Sequence, residues 1–112
     1  MSVSIASDEQ FAIAVVPNRS EVAVVPSGEL DLASVGAVDQ EVKELRHSGF
    51  DEVVVELRRL TFIDSSGLRL LLCLRNEAER DGHHLTLVPG SPRVQRIFEL
   101  TSTRGLFDWR FA

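Results

Sequence analysis

Basic charge is what this chain is short of: Lys plus Arg number 12 against 17 Asp plus Glu, for a net charge of -5. A nucleic-acid backbone is a poor direct partner for such a surface, and no basic, aromatic patch compensates. Cysteine is nearly absent. Cys73 is the single residue of its type, so a disulfide framework is excluded and no cysteine pair is available to hold a metal. It falls mid-helix among leucines, where a buried, reduced thiol is expected, as in a reducing cytoplasm. Also missing is any apolar run near the ~18 residues that span a bilayer, and the N-terminus lacks a basic stretch followed by an apolar one. A soluble, unexported cytoplasmic protein with no membrane contact is the expectation. No internal repeat, low-complexity tract or linker interrupts the 112 residues, which suggests one domain able to bury roughly two-thirds of its unfolded surface. Its core should run from about residue 11 to residue 111, with 1–10 a polar N-terminal segment. What is present is ordinary for a globular chain, 44% hydrophobic and 26% charged.

Hydrophobic period supplies the order of elements. Phe11 to Val16 is a β-prone run that Pro17 and the turn-forming Asn18-Arg19-Ser20 should stop, and Val22 to Val25 is a second run ending at Pro26-Ser27-Gly28. The short gap between them predicts an antiparallel hairpin. From Leu32 the period changes to three and four, through Val35, Val38, Val42 and Leu45, which predicts a helix with Asp31 as N-cap and Gly49 just past its end. Glu52 to Leu57 is dense in β-branched residues and reads as the central strand. Arg58 to Asp64 is expected to be a loop. Leu68, Leu71, Leu72, Arg75 and Ala78 mark a second helix that stops at Asp81-Gly82, with Leu70, Cys73 and Leu74 widening its apolar stripe. Leu85 to Val88 is another strand, and Ser91-Pro92 supplies the N-cap and first residue of a third helix that buries Val94, Ile97 and Phe98. Leu106 to Phe111 alternates and suggests a final edge strand or a docked tail. Strands alternating with helices predict an α/β fold, a mixed sheet of about four to five strands with helices packed on it.

The chemistry concentrates at Leu60-Thr61-Phe62-Ile63-Asp64-Ser65-Ser66-Gly67-Leu68, where a strand hands over to a helix. The first N–H groups of a helix lack partners and carry the positive end of its dipole, so a hydroxyl there is a natural cap or a natural phosphate carrier. Two hydroxyls exceed what a cap needs. A serine hydrolase would require glycine two residues before the serine, but Ile63 stands there. Nor does anything aim His47, His83 or His84 at the motif. His83-His84 lacks metal-ligand spacing, no G-x-x-x-x-G-K-[ST] phosphate loop occurs, and neither a metal nor a cofactor is expected. Asp31 and Asp64 each sit at a strand-to-helix junction and could face the same end of the sheet, either as paired caps or as a functional acidic pair.

Val55-Glu56-Leu57 with Leu60 to Leu68 resembles the signature of the STAS domain family, specifically the anti-sigma factor antagonists. Gly28-Glu29-Leu30-Asp31, Ser91-Pro92-Arg93-Val94-Gln95-Arg96-Ile97-Phe98 and Gly105-Leu106-Phe107 resemble further family segments in the same order. The resemblance implies a non-enzymatic, phosphorylatable switch in transcription regulation. Its unphosphorylated form binds an anti-sigma factor that is also a serine kinase, releasing a sigma factor, and a serine phosphatase resets the phosphorylated form. Carried over by motif, Ser65 is the phosphoacceptor, Asp64, Ser66 and Gly67 frame it, and Asp31 belongs to the surface the kinase recognises. The other reading of the same fold is an unphosphorylated scaffold, as in STAS subunits of transporters or lipid-transport ATPase complexes. A monomer is the default for a free switch subunit. Arg69, where relatives carry a small residue, stands one helical turn from Ser65, and with Arg58 and Arg59 suggests a basic rim able to hold a phosphate or an acidic partner.

Overall fold

The computed structural model describes residues 10–111 in full and residues 3–6 by backbone alone. In chain order the elements are β1 (Val3–Ala6), β2 (Ala12–Asn18), β3 (Glu21–Leu30), α1 (Val35–His47), β4 (Glu52–Glu56), β5 (Leu60–Ile63), α2 (Ser65–Asp81), β6 (His84–Val88), α3 (Pro92–Leu100) and β7 (Asp108–Trp109). They form one mixed sheet in the order β1-β2-β3-β4-β6-β7, and β5 pairs with β3 off this path. The pairs β1–β2 and β2–β3 are antiparallel, and all the others are parallel. The α/β class, the hairpin and the central place of β4 are as expected. The strand count exceeds four to five because short β1, β5 and β7 add to the sheet. β1 lies within the polar segment 1–10, whose residues 1, 2 and 7–9 are outside the described ones.

Two strands run past prolines that should have stopped them. β2 continues through Pro17 to Asn18, and β3 continues through Pro26 to Leu30. The reason is local at Pro26. Residues 21–24 of β3 pair with β4 and residues 28–30 pair with β5, so Pro26 falls where the partner changes. Gly28, two residues on, donates its N–H to the Arg59 carbonyl, so nitrogens of this parity face the β4–β5 side. The donor that proline lacks would therefore have pointed into the gap between the two partners, where no ladder bond is lost. This change of partner also corrects the loop expected at 58–64: Leu60–Ile63 is a strand, and the turn is confined to Arg58-Arg59.

One hydrophobic cluster joins the sheet to its helices, including Val22, Val24, Val53, Val55 and Leu87 with Val38, Val42, Leu71, Leu74 and Phe98. Phe98 meets Phe107 and Trp109 edge to face, with ring centroids 5.6 and 5.1 Å apart, and so docks the C-terminal segment. Val25, Val54 and Val88 are buried outside this cluster, on the alternate face of their strands. On that face Arg110 reaches back across the sheet, its two Nη atoms donating to the Glu21 carboxylate at 2.9 and 3.0 Å, and Nη2 to Glu52 at 3.3 Å.

The Arg110 hydrogen bond holds the Glu21 pKa below its ordinary value. A depressed carboxylate contributes stability above its unfolded pKa and loses it as the pH falls through the folded one. In urea titrations, Arg110→Ala should therefore cost stability at neutral pH, by less than about 1 kcal/mol for so exposed a pair. That difference should vanish as the pH drops below the ordinary glutamate range. A difference unchanged in acid would show that the ion pair is not its source.

Candidate functional site

Register builds the site. Leu30 of β3 is the partner of Ile63 of β5, and Asp64 donates its N–H to the Leu30 carbonyl at 3.2 Å. Asp31 and Asp64, the next residues of two parallel neighbours, therefore leave the sheet side by side at its C-terminal end. Asp64 is the N-cap of α2: one carboxylate oxygen accepts from the N–H groups of Ser66 at 2.9 Å and Gly67 at 3.1 Å, while its carbonyl accepts from Leu68. With an aspartate doing the capping, neither serine is needed for it. Ser65 is the first residue of α2, exposed, and among the described residues its hydroxyl and its N–H have no hydrogen-bond partner. The positive end of the α2 dipole is thus presented at an unengaged hydroxyl.

Gly67 is required by packing. A Cβ there would lie 2.7 Å from Ile63 Cγ1 and 2.8 Å from the Leu30 carbonyl oxygen, so only glycine lets the first turn of α2 rest on the ends of β3 and β5. Gly28, earlier in β3, has a φ of +104°, and a Cβ there would come within 2.1 Å of the Gln10 carbonyl. Gly67 thus sets the junction directly, while Gly28 serves the start of the β3–β5 pairing that leads to it.

Asp31 does not cap α1. The helix starts four residues later, at Val35, because residues 31–34 form a turn in which Asp31 Oδ1 accepts from the Ala33 N–H at 3.0 Å and the Asp31 carbonyl accepts from Ser34 and Val35. Ser34, the buried residue at the cap position, turns its hydroxyl back to the Glu29 carbonyl at 2.7 Å and accepts from the Asp31 N–H at 3.0 Å. Its role was not anticipated, although an aspartate with a serine three residues on is a recognisable turn signal. The later start also throws Leu32 outward. It is 78% exposed rather than part of a buried stripe.

Between α1 and α2 a groove of about 420 Å³ runs past the site, lined by Leu32, Val35, Ser66, Arg69, Leu70 and Cys73 among others. Cys73, expected to be buried, is exposed on this groove. The stripe of α2 that packs on the sheet is carried by Leu68, Leu71, Leu74 and Ala78, and position 73 falls two residues beyond Leu71, off that stripe. Arg69 is exposed, one turn from Ser65, and has no carboxylate partner among the described residues. The rim of three arginines does not assemble around it. Arg58 is paired with Glu56 at 2.6 Å, and Arg58-Arg59 lie at the far end of β5 from the motif. A different arginine, Arg93 of α3, sits over the Phe62 ring at 5.9 Å. Thirty-one positions separate the two in the chain, and no sequence signal linked them.

The histidines sit at the other pole. His47 ends α1, while His83 and His84 follow α2, a helix of 17 residues that rises about 26 Å from Ser65. None of the three histidines is therefore placed to act as a general base on Ser65. Among the described residues no three His, Cys, Asp or Glu side chains gather as metal ligands, and no helix is long and apolar enough to cross a membrane.

Residues 13–108 match the family model described as "Mlab, STAS domain". The chain is 28% identical over 79 residues, 70% of its length and 73% of the relative's, to the anti-sigma-B factor antagonist of Staphylococcus aureus. Among solved structures it is similar to the anti-sigma factor antagonist SpoIIAA in its unphosphorylated form, with a TM-score of 0.74 and 25% identity over 89% of this chain and 87% of that one. The Bacillus cell fate determinant SpoIIAA in its phosphorylated form shares the fold, with a TM-score of 0.69 and 24% identity over 89% of this chain and 90% of that one.

Proposed function

This chain belongs to the STAS domain family, and from that premise we propose that it is an anti-sigma factor antagonist switched by phosphorylation of Ser65. The observation that carries the reading is the unengaged Ser65 hydroxyl at the start of α2, left free because Asp64 does the capping. The names of the relatives support it: one is an anti-sigma-B factor antagonist, and SpoIIAA exists in unphosphorylated and phosphorylated forms. In this reading the unphosphorylated chain binds an anti-sigma factor that is also a serine kinase, and a sigma factor is released. The chain is a substrate and binding partner, not a catalyst. Ser65 Oγ attacks the γ-phosphorus of ATP held by the kinase, the bond from that phosphorus to the β–γ bridging oxygen breaks, and ADP leaves. The hydroxyl proton passes to a base on the kinase, and a separate serine phosphatase later hydrolyses the phosphoserine.

The surface offered to the partner comprises Asp31, Asp64, Ser66 and Arg69 around Ser65, with the buried Gly67 setting the turn beneath them. A phosphate here adds about -1.5 to -2 charges and three acceptor oxygens. The α2 dipole and the free Ser65 N–H accommodate it in the isolated chain, and Arg69 is positioned to draw it in. Against a bound partner the same charge must be desolvated beside Asp31 and Asp64, which disfavours the complex by several kcal/mol unless it is paired. The reading is tested by titrating the unphosphorylated chain into its anti-sigma factor and following sigma-factor release. Stoichiometric binding with release is expected. Failure to bind, together with co-purification of a transport ATPase, would favour the scaffold reading.

A further inference from the structure

The groove between α1 and α2 opens beside the switch serine. Its lining begins with Leu32 and with Ser66, the residue after Ser65, continues past Val35, Gly36, Arg69 and Leu70, and reaches the Asp39–Lys43 ion pair further along the helices. Leu32 is 78% exposed, because residues 31–34 form a turn ahead of α1 and not its first coil. Val35 beside it is half-buried. Gly36 leaves open space where a side chain would stand, with no atom within 4 Å of an added Cβ. Singly exposed leucines are ordinary, but an exposed apolar patch rimmed by polar residues marks an interaction site.

Charge narrows the occupant. Lys43 is neutralised by Asp39 at 2.9 Å, whereas Arg69 is exposed and has no carboxylate partner among the described residues. An occupant that carries a carboxylate beside its apolar side chains would pair it. A cleft between neighbouring helices suits the apolar face of an amphipathic helix. A second copy of this chain seated there would screen Ser65 from a kinase, so the occupant compatible with the Ser65 reading is the kinase itself.

We propose that this groove is a docking site for an amphipathic, acidic segment of the anti-sigma factor. The apolar side chains of that segment enter between Leu32, Val35 and Leu70, and its carboxylate meets Arg69. The inference rests on the reading of Ser65 as the switch, because one partner covers both.

The test uses Cys73, the single cysteine of the chain, which is exposed on the groove and serves as a built-in probe. The full unphosphorylated chain is treated with N-ethylmaleimide, alone and with saturating anti-sigma factor, and its intact mass is followed. Cys73 should react in the free chain and be protected in the complex. Leu32→Ala removes the exposed anchor, and Gly36→Leu fills the groove with a better helix former. Each should weaken the anti-sigma factor at least about tenfold, or ~1.4 kcal/mol, with an unfolding midpoint no lower than that of the parent chain. Binding that leaves Cys73 reactive, or that neither substitution weakens, would overturn the docking site while the Ser65 reading stands. Protection that develops in the chain alone as its concentration rises would place a second copy in the groove and overturn it as well. Absence of any binding would remove both readings together.

Discussion

Gly67→Ala should destabilise the fold while Gly36→Ala stabilises it, although both put the better helix former into a helix. Intrinsic propensity favours alanine by about 1 kcal/mol at either position. Gly36, in the first turn of α1, has nothing within 4 Å of an added Cβ, so that preference should emerge nearly whole. At Gly67 the added carbon meets Ile63 Cγ1 at 2.7 Å, the Leu30 carbonyl at 2.8 Å and Leu30 Cγ at 3.0 Å. Ile63 Cγ1 and Leu30 Cγ are interior atoms of buried side chains, and the carbonyl is backbone and already accepts the Asp64 N–H. Overpacking costs typically 1–3 kcal/mol, and against a backbone carbonyl the upper part of that range, about 2–3 kcal/mol, applies; less the propensity gain, the net loss should be about 1–2 kcal/mol, a fall in Tm of roughly 5–10 °C for a domain of this size. Because the clash is at the junction itself, the start of α2 should also move away from Asp31, and partner binding should fall further than stability alone explains. Equal and favourable effects at both glycines would contradict the packing argument.

Ser65→Asp and Ser65→Ala should separate binding from folding. Ser65→Ala removes a hydroxyl with no partner among the described residues, so stability and affinity for the anti-sigma factor should stay near those of the unphosphorylated chain. Aspartate at the first position of α2 suits the positive end of the helix dipole, which gives a few tenths of a kcal/mol in favour of the fold. The same carboxylate must be desolvated when the partner docks, so affinity should drop at least about tenfold for Ser65→Asp. For phosphoserine, with its larger charge, the loss should reach roughly a hundredfold, equivalent to about 3 kcal/mol. Unfolding midpoints and calorimetric affinities therefore move in opposite directions. If Ser65→Asp lost affinity and stability together, the effect would be structural damage and not a switch.

Much of this arrangement was legible because its causes are local. Gly49 and Gly82 close their helices with φ of +100° and +74°, Ser91 caps α3 through the Val94 N–H, and the valine run at 53–55 is the centre of the sheet. The errors share another origin. Pro26 looks like a stop only if its neighbours are unknown, since the harm done by a missing N–H depends on which strand lies beside it. Asp31 looks like a cap until Ser34 competes for the turn, and Cys73 looks buried until the stripe of α2 is narrowed by where the sheet lies. Arg93 over Phe62, or Arg110 on Glu21 from 89 residues away, belongs to tertiary geometry that no local pattern encodes. The serine motif was readable as a candidate site, but the capping by Asp64 that frees the Ser65 hydroxyl is visible only in the hydrogen bonds.

If Ser65 is the switch, intact-mass analysis followed by peptide mapping after incubation with the anti-sigma kinase and ATP should register it. A single added phosphate is expected on the peptide containing Ser65, absent from Ser65→Ala and removed by the phosphatase. No added phosphate, or one placed on any other residue, would contradict it.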